Sequence, residues 1–374
     1  MFEIYRNLHI FNLKMKKTSL FRQHVEKGAK MIPFSGFLMP VQYDGINIEH
    51  QSVRENVGLF DVSHMGEFFV KGNNASHFLD FICTNNIKNL AIGKAQYNCL
   101  TNENGGIIDD LIVYKLNNQE FMLVVNAANI DKDWEWIVKQ NEKFENKIEN
   151  KSDSMSLLAL QGPKSYELLQ KIVDFDLRKM KNYSFVNSKI GSLENIIIST
   201  TGYTGSGGFE IYCDNNNAVE IWNLLFKFGK EFNLKPIGLA ARDTLRLEMG
   251  YCLYGNDLHE NINPIEANLK WITKLEKNFI GCNSIKSSIK EGVKKRLVGF
   301  KLNERGIPRN NYKIYSDGKI IGEVSSGTMS PTLKIGIGLG YINTSHCAIN
   351  SEIKIEIRKK MVSGTVVQTP FVNT

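Results

Sequence analysis

The sequence predicts an α+β chain that ends in a small all-β domain. Three observations carry this. Apolar residues at helical spacing alternate with β-branched and aromatic runs from Leu20 to about residue 285. Beyond that point short strand patterns follow one another with no convincing helix. And 374 residues, 42% of them hydrophobic, suffice for two or three domains with sizeable cores.

Taken in order, Met1–Lys14 is a mixed segment with too little apolar length for a membrane span or a secretory core. It reads as a disordered extension ahead of a start at Met15, with a weak mitochondrial leader as the alternative. Leu20–Gly28 reads as a short helix stopped by its glycine, followed by an extended piece to Pro40. Ile48–Gly58 is helical in pattern, and Leu59–Val70 is a turn into a strand. Ser63 and His64 are adjacent, and sequence neighbours rarely point at each other, so His64 reads as structural and not as a base. Ala75, Phe78, Leu79 and Ile82 share a helical face behind Asn74, a good cap.

Glu120–Asn126 is a strand ending in an amide. That amide either sits at a site's edge or simply starts the turn to the helix at Asp131–Lys139. Leu157–Pro163 is a strand stopped by Gly-Pro, Ser165–Ile172 is helical, and Ile196–Ile198 is a strand. Gly202–Tyr212 is a glycine-rich loop entering another strand; it lacks the ending of a phosphate loop, which leaves Tyr203 and Glu210 as its chemistry. Val219–Phe232 shows a helical face. Thr244–Met249 continues a helix whose Arg242, Asp243, Arg246 and Glu248, three and four residues apart, read as surface pairs. In the β tail, Asp317-Gly318 marks a hairpin, Ile353, Ile355 and Ile357 alternate with charges, and Gly336–Gly340 leads into no helix and so is no nucleotide loop.

A formal charge of +7 suits anionic small molecules or an acidic protein partner and falls short of a dedicated nucleic-acid binder. Six scattered cysteines form no Cys-x-x-Cys pair and show no zinc spacing with histidine. They read as free thiols in a reducing compartment, the bacterial cytoplasm, with the mitochondrial matrix as alternative. No metal, nucleic acid or membrane is expected.

The stretch that organises the chain is Asn104–Tyr114, a Gly105-Gly106 turn running into Ile107-Ile108-Asp109-Asp110-Leu111-Ile112-Val113. Side chains alternate along a strand, so of Asp109 and Asp110 one is expected to face water or a turn and the other the apolar side. A carboxylate there costs several kcal/mol unless paired, and its pKa is open to tuning. A turn-capping pair is the plain alternative.

Several blocks together resemble the aminomethyltransferase family, the T-proteins of the glycine cleavage system. They are Pro33–Phe37 with Met39–Tyr43, Phe60-Asp61-Val62-Ser63-His64-Met65-Gly66-Glu67, Gly105–Leu111, Leu160–Pro163, Gly202-Tyr203-Thr204-Gly205, Ala241–Glu248, Tyr254–Asp257, Ser326–Thr328 with Ser330-Pro331, and Pro370-Phe371. They run in order from about Met15 to the end. The resemblance implies a three-lobed fold in which two intertwined α+β lobes, over 15–285, and a C-terminal β-barrel-like domain, over 286–374, enclose a folate channel. It implies transfer of an aminomethyl group from lipoylated H-protein to tetrahydrofolate, with ammonia released. It places the key carboxylate on Asp110 and folate contacts on Met65, Tyr97, Asn126, Tyr203, Glu210 and Arg242. Glu210 would accept from the pterin edge, and Arg242 would hold Glu210 or an acceptor in a planar fork. One departure is Ser206, where the family loop usually has glutamate; a second is the lack of an aromatic after Pro370-Phe371. A non-catalytic folate-binding relative and the folate half of a flavin-linked demethylating oxidase are the rival classes; the intact Asp110 argues against the first, and no dinucleotide-binding region precedes the match.

Overall fold

A computed structural model describes residues 15–373; the extension expected over 1–14 lies outside them. The chain runs α1 (Phe21–Glu26), β1 (Lys30–Phe34), β2 (Phe37–Gln42), α2 (Ile46–Glu55), β3 (Gly58–Asp61), β4 (Gly66–Lys71), α3 (Ala75–Ile82), β5 (Ala95–Thr101), β6 (Ile107–Lys115) and β7 (Glu120–Val125). It continues with α4 (Ile130–Asn141), β8 (Lys147–Asn150), β9 (Met155–Gln161), α5 (Ser165–Gln170), β10 (Phe185–Ile190), β11 (Leu193–Ser199), β12 (Gly208–Asp214), α6 (Asn215–Gly229), β13 (Lys235–Ile237) and α7 (Leu239–Glu248). The last part is α8 (Cys282–Glu291) and then β14 (Lys295–Leu302), β15 (Lys313–Ser316), β16 (Lys319–Met329), β17 (Gly336–Asn343), β18 (Glu352–Ile357) and β19 (Lys360–Val367). Two compact units share these elements. One takes the chain up to Phe68 with Ala127–Asp131 and Glu149–Asp243; the other takes Phe69–Asn126, Lys132–Ile148 and the chain from Thr244 onward.

In the first unit a six-stranded sheet has the order β10-β11-β12-β9-β3-β13. Its apolar face meets α5 and α6: Leu158, Leu160, Ile198 and Ile211 pack with Leu168, Leu169, Ile221, Trp222 and Leu225, all essentially buried. Helix α6 starts where the sheet ends because Asp214 caps it, accepting from the Asn216 backbone N–H at 2.9 Å. At one end lies a buried polar group that the sequence did not announce. The Asp61 carboxylate accepts from Thr18 Oγ1 (2.6 Å), the Ser63 backbone N–H (2.9 Å) and His24 Nε2 (2.8 Å), and Tyr43 OH meets His24 Nδ1 at 2.9 Å. Burial pushes Asp61 up, but the hydrogen bonds and charge of His24, with Ser63 and Thr18, outweigh it and hold it at about 2.

The second unit carries a five-stranded sheet of order β5-β6-β7-β4-β8 and a closed six-stranded barrel, β14-β17-β16-β15-β18-β19. The barrel encloses Val298, Phe300, Ile314, Val324, Ile342, Ile353, Ile355 and Val366. Closure leaves no bare edge among its strands. The expected β15–β16 hairpin and the half-buried β18 are both there.

Four expectations change. The style break comes later than residue 285: α8 runs on to Glu291, because Ile285 and Cys282 bury its inner face against Phe279. Leu59–Val70 is two strands with a turn between them. Asn74 does not cap α3 with its side chain, which instead donates to the Phe144 carbonyl at 3.3 Å. And Arg246 and Glu248 of α7 are buried, not surface pairs. Arg246 Nη1 meets Asp257 Oδ2 at 2.9 Å and Nη2 donates to Ser326 Oγ at 2.9 Å; Ser325 and Ser326 hydroxyls also donate to Asp257 (2.5 and 2.8 Å). Glu248 accepts from Ser330 Oγ (2.5 Å) and from Thr332 N–H (3.1 Å) and Oγ1 (2.9 Å). Helix α7 is thereby bolted to barrel strand β16 and its following turn by charges.

Removing one member of such a pair strands the other. Asp257→Ala is expected to cost roughly 3–5 kcal/mol in urea unfolding, the usual penalty for an uncompensated buried charge. A loss below about 1 kcal/mol would mean Arg246 finds water or another acceptor.

Candidate active site

The second unit builds the carboxylate strand from its turn. Asn102 Oδ1 accepts from the backbone N–H groups of Asn104 and Gly106, both at 3.0 Å. Gly105 has φ +83°, the left-handed region, and a Cβ on Gly106 would stand 1.7 Å from the Glu260 carbonyl oxygen. Only glycines fit this Asx turn, and they fix where β6 begins.

Asp109 and Asp110 lie inside β6 and not in the glycine turn before it. Asp109 is fully buried and Asp110 half-buried, so alternation separates the two as expected, although the more open member is still well short of exposed. The registers explain the neighbours. β5 sets Cys99 opposite Asp110 and Tyr97 opposite Ile112, which puts Tyr97 diagonal to Asp110 on one face; its hydroxyl donates to Asp110 Oδ2 at 2.8 Å. β7 sets Val124 opposite Ile112, so the next residue on that face, Asn126, arrives opposite Asp110. The Asn126 side-chain amide donates to Asp110 Oδ1 (2.9 Å), Asp110 O (3.0 Å) and Asp109 Oδ1 (2.9 Å), and its backbone N–H donates to Asp109 Oδ2 (3.1 Å). Asn126 thus leads into the following turn and also binds both carboxylates.

Burial and the repulsion of Asp109 push Asp110 up, the donors Tyr97 and Asn126 pull it down, and it settles at about 7. Burial, and then the charge of Asp110, hold the Tyr97 phenol well above its ordinary range. Trp271, which sequence reading passed over, stacks on Tyr97 (centroids 5.9 Å apart, 27° between planes) while 60% exposed. Its only signal in the sequence is a tryptophan with no helical face to join.

The first unit holds the other site residues. Its glycine-rich loop is pinned by Gln161, whose Oε1 accepts from Thr204 Oγ1 at 2.9 Å, and by Arg54, whose Nη1 donates to Thr204 O (2.5 Å) and Ser206 Oγ (2.8 Å). Ser206, the departure from the family loop, thus still supplies an acceptor. The Arg242 guanidinium lies 4.6 Å from the centroid of the Tyr203 ring. Glu210 accepts from Thr201 Oγ1 (2.5 Å) and Tyr212 OH (3.4 Å). Burial raises its pKa, against the Thr201 bond and the nearby Arg242 charge. Arg242 therefore lies over the Tyr203 ring and near enough to Glu210 for its charge to favour the ionised carboxylate. His64, buried edge-on to Phe34 (5.5 Å), is lowered to about 4 by burial and by Arg242, and stays neutral as a structural histidine should. Met65, half-buried, follows it in the turn after β3.

The structure therefore gathers Tyr97, Asp110 and Asn126 in one unit and Tyr203, Glu210 and Arg242 in the other, where Met65 also lies. Among the described residues no group of three or more His, Cys, Asp or Glu is arranged to hold a metal ion, and no helix is long and apolar enough to cross a membrane.

Comparison with known proteins converges. The family "GCVT N-terminal domain" matches residues 20–277, and "Glycine cleavage T-protein C-terminal barrel domain" matches 295–373. An aminomethyltransferase of Flavobacterium psychrophilum is 53% identical over 358 residues, 96% of this chain and 99% of that protein. One from Bacteroides thetaiotaomicron is 50% identical over 360 residues, with 96% and 99% covered. Among solved structures, the glycine cleavage system aminomethyltransferase T of Bartonella henselae superposes with a TM-score of 0.90 at 33% identity, covering 96% of this chain and 98% of that one.

Asp110 makes a direct test of the site's electrostatics. A carbon-13 carboxyl titration should show its midpoint near 7, and Tyr97→Phe should raise that midpoint by removing a donor to the carboxylate. The folded value lies above the ordinary 3.8, so between about pH 4 and pH 7 the folded chain keeps a proton the unfolded chain has released. Native stability at this group falls across that window, and Asp110→Asn should gain on the native chain as pH rises through it. A midpoint near 4 would contradict the reading.

Proposed function

Because the chain belongs to the glycine cleavage T-protein family of aminomethyltransferases, we propose that it transfers the aminomethyl group of aminomethyl-dihydrolipoyl H-protein to tetrahydrofolate. The products are ammonia, methylene-tetrahydrofolate and dihydrolipoyl H-protein. The observation that carries this is the Asp110 carboxyl, oriented by Tyr97 and Asn126 and poised near neutrality. In the transfer, the carbon becomes iminium-like as ammonia leaves, and the attacking folate nitrogen must lose a proton. A fixed carboxylate stabilises that positive charge and receives or orients the proton. Asp110 is the catalytic residue of this reading.

Glu210, Tyr203 and Arg242 are assigned to the pterin. A pterin presents an amino-amide edge of N–H donors, which an ionised Glu210 accepts, and the Arg242 charge favours that ionised form. Arg242 over the Tyr203 ring holds an aromatic face ready for the flat heterocycle. Met65 is assigned to the same folate site on the resemblance alone. The formal charge of +7 fits the anionic folate tail and an acidic H-protein. All six cysteines are free, which favours a reducing compartment, the cytoplasm.

The deciding assay is release of ammonia and methylene-tetrahydrofolate from aminomethylated H-protein; no release from a folded enzyme with both substrates present would end this reading. Asp110→Asn keeps shape and removes charge, so single turnover should slow by about 10²-fold or more with folate binding near normal. Glu210→Gln should weaken folate by roughly 1–3 kcal/mol in titration calorimetry, the cost of a lost charge-assisted partner. Unchanged affinity would make Glu210 a bystander.

A further inference from the structure

Asp133 sits in the first turn of α4, fully buried. No side chain or backbone group among the described residues donates to either of its carboxyl oxygens. A fully buried carboxyl with no donor violates the rule that buried polar groups are paired. The neighbour that acts on it most is another fully buried acid, Asp109 of β6. Two adjacent buried carboxylates repel strongly, whereas one carboxylic acid and one carboxylate make a short, charge-assisted hydrogen bond.

We propose that Asp133 is a positioning residue, a neutral carboxylic acid that donates its proton to Asp109 and so holds the frame in which Asn126 orients Asp110. The proposal rests on the transfer reading above for its catalytic meaning. Through Asn126 the frame is continuous: Asp109 takes the Asn126 backbone N–H and one side-chain bond, and the same amide reaches Asp110. The charged groups around Asp133 are consistent. Asp109 and Asp110 face it from β6, and Lys132 precedes it on its own helix. Lys132 is turned elsewhere, its Nζ donating to Ile108 O (2.7 Å) and Tyr254 OH (2.9 Å) and lying 3.6 Å from Glu260. Burial, then the charge of Asp109, drive Asp133 far above the usual carboxylate range. With a proton on Asp133, both buried acids have partners and the pair carries a single charge.

Asparagine mimics a protonated aspartate, offering an N–H donor at the same place, whereas leucine keeps the branched shape without a donor. Asp133→Asn should keep kcat within about threefold, whereas Asp133→Leu should lose about tenfold to a hundredfold in kcat with little change in the KM for folate. Infrared spectroscopy of the resting enzyme at neutral pH supplies a measurement independent of turnover: a protonated-carboxyl band present in the native protein and missing in Asp133→Asn. That band would still decide the protonation state if Asp133→Leu failed to fold or the transfer reaction itself proved wrong. Asp133→Asn as impaired as Asp133→Leu, both variants as fast as native, or an unchanged infrared difference region would each overturn the proposal.

Discussion

The side-chain amide of Asn126 shares its two N–H groups among Asp109 Oδ1, Asp110 Oδ1 and the Asp110 carbonyl. That sharing is what allows two carboxylates on consecutive residues of a buried strand. Without a donor between them, burial and mutual repulsion would protonate both or bend the strand away. With it, one oxygen of Asp110 is tied down on the β7 side and the other by Tyr97 on the β5 side. The group is immobilised from both neighbouring strands, which is the preorganisation that electrostatic catalysis requires. The register of three strands and the two glycines that start β6 all serve this one placement.

How much of this was legible in the sequence depended on distance along the chain. Period-two and helical patterns located β6, β7, β12, α6 and the Asp317-Gly318 hairpin, because those signals are local. The Gly105-Gly106 turn was legible for the same reason, although its cause, the Glu260 carbonyl pressed against Gly106, was not. Alternation separated Asp109 from Asp110 but overstated the contrast, because it assumes one wet face and the Asp110 face of β6 is half-buried. The same assumption turned Arg246 and Glu248 into surface pairs, when their partners Asp257, Ser326, Ser330 and Thr332 lie well outside their own helix.

The site residues divide along similar lines. Asp110 drew attention by itself, as an acid in an apolar run. Tyr97 and Met65 drew none from pattern, Arg242 drew notice only as one of four helix charges, and the resemblance alone selected all three for the site. Trp271 and Asp133 were missed by both routes: an exposed tryptophan and an acid in a helix's first turn are ordinary in sequence. They become unusual only when Tyr97 is seen beneath one and Asp109 beside the other.

The links between α7 and the barrel have a meaning for how such a chain can be divided. Ser325 and Ser326 of β16 give their hydroxyl protons to Asp257, and Tyr341 of β17 gives its own to the Asp257 carbonyl at 2.7 Å. A barrel cut away at the α8–β14 junction would carry these hydroxyls to a new surface with no acceptor opposite them, while the remaining piece kept Asp257 and Arg246 bound to each other. The barrel is a closed sheet, yet the hydroxyls on this side of it are satisfied by a residue outside its own strands. Moved onto another protein, the barrel would keep these contacts only if Asp257 travelled with it, so the segment between α7 and β14 completes the barrel's packing.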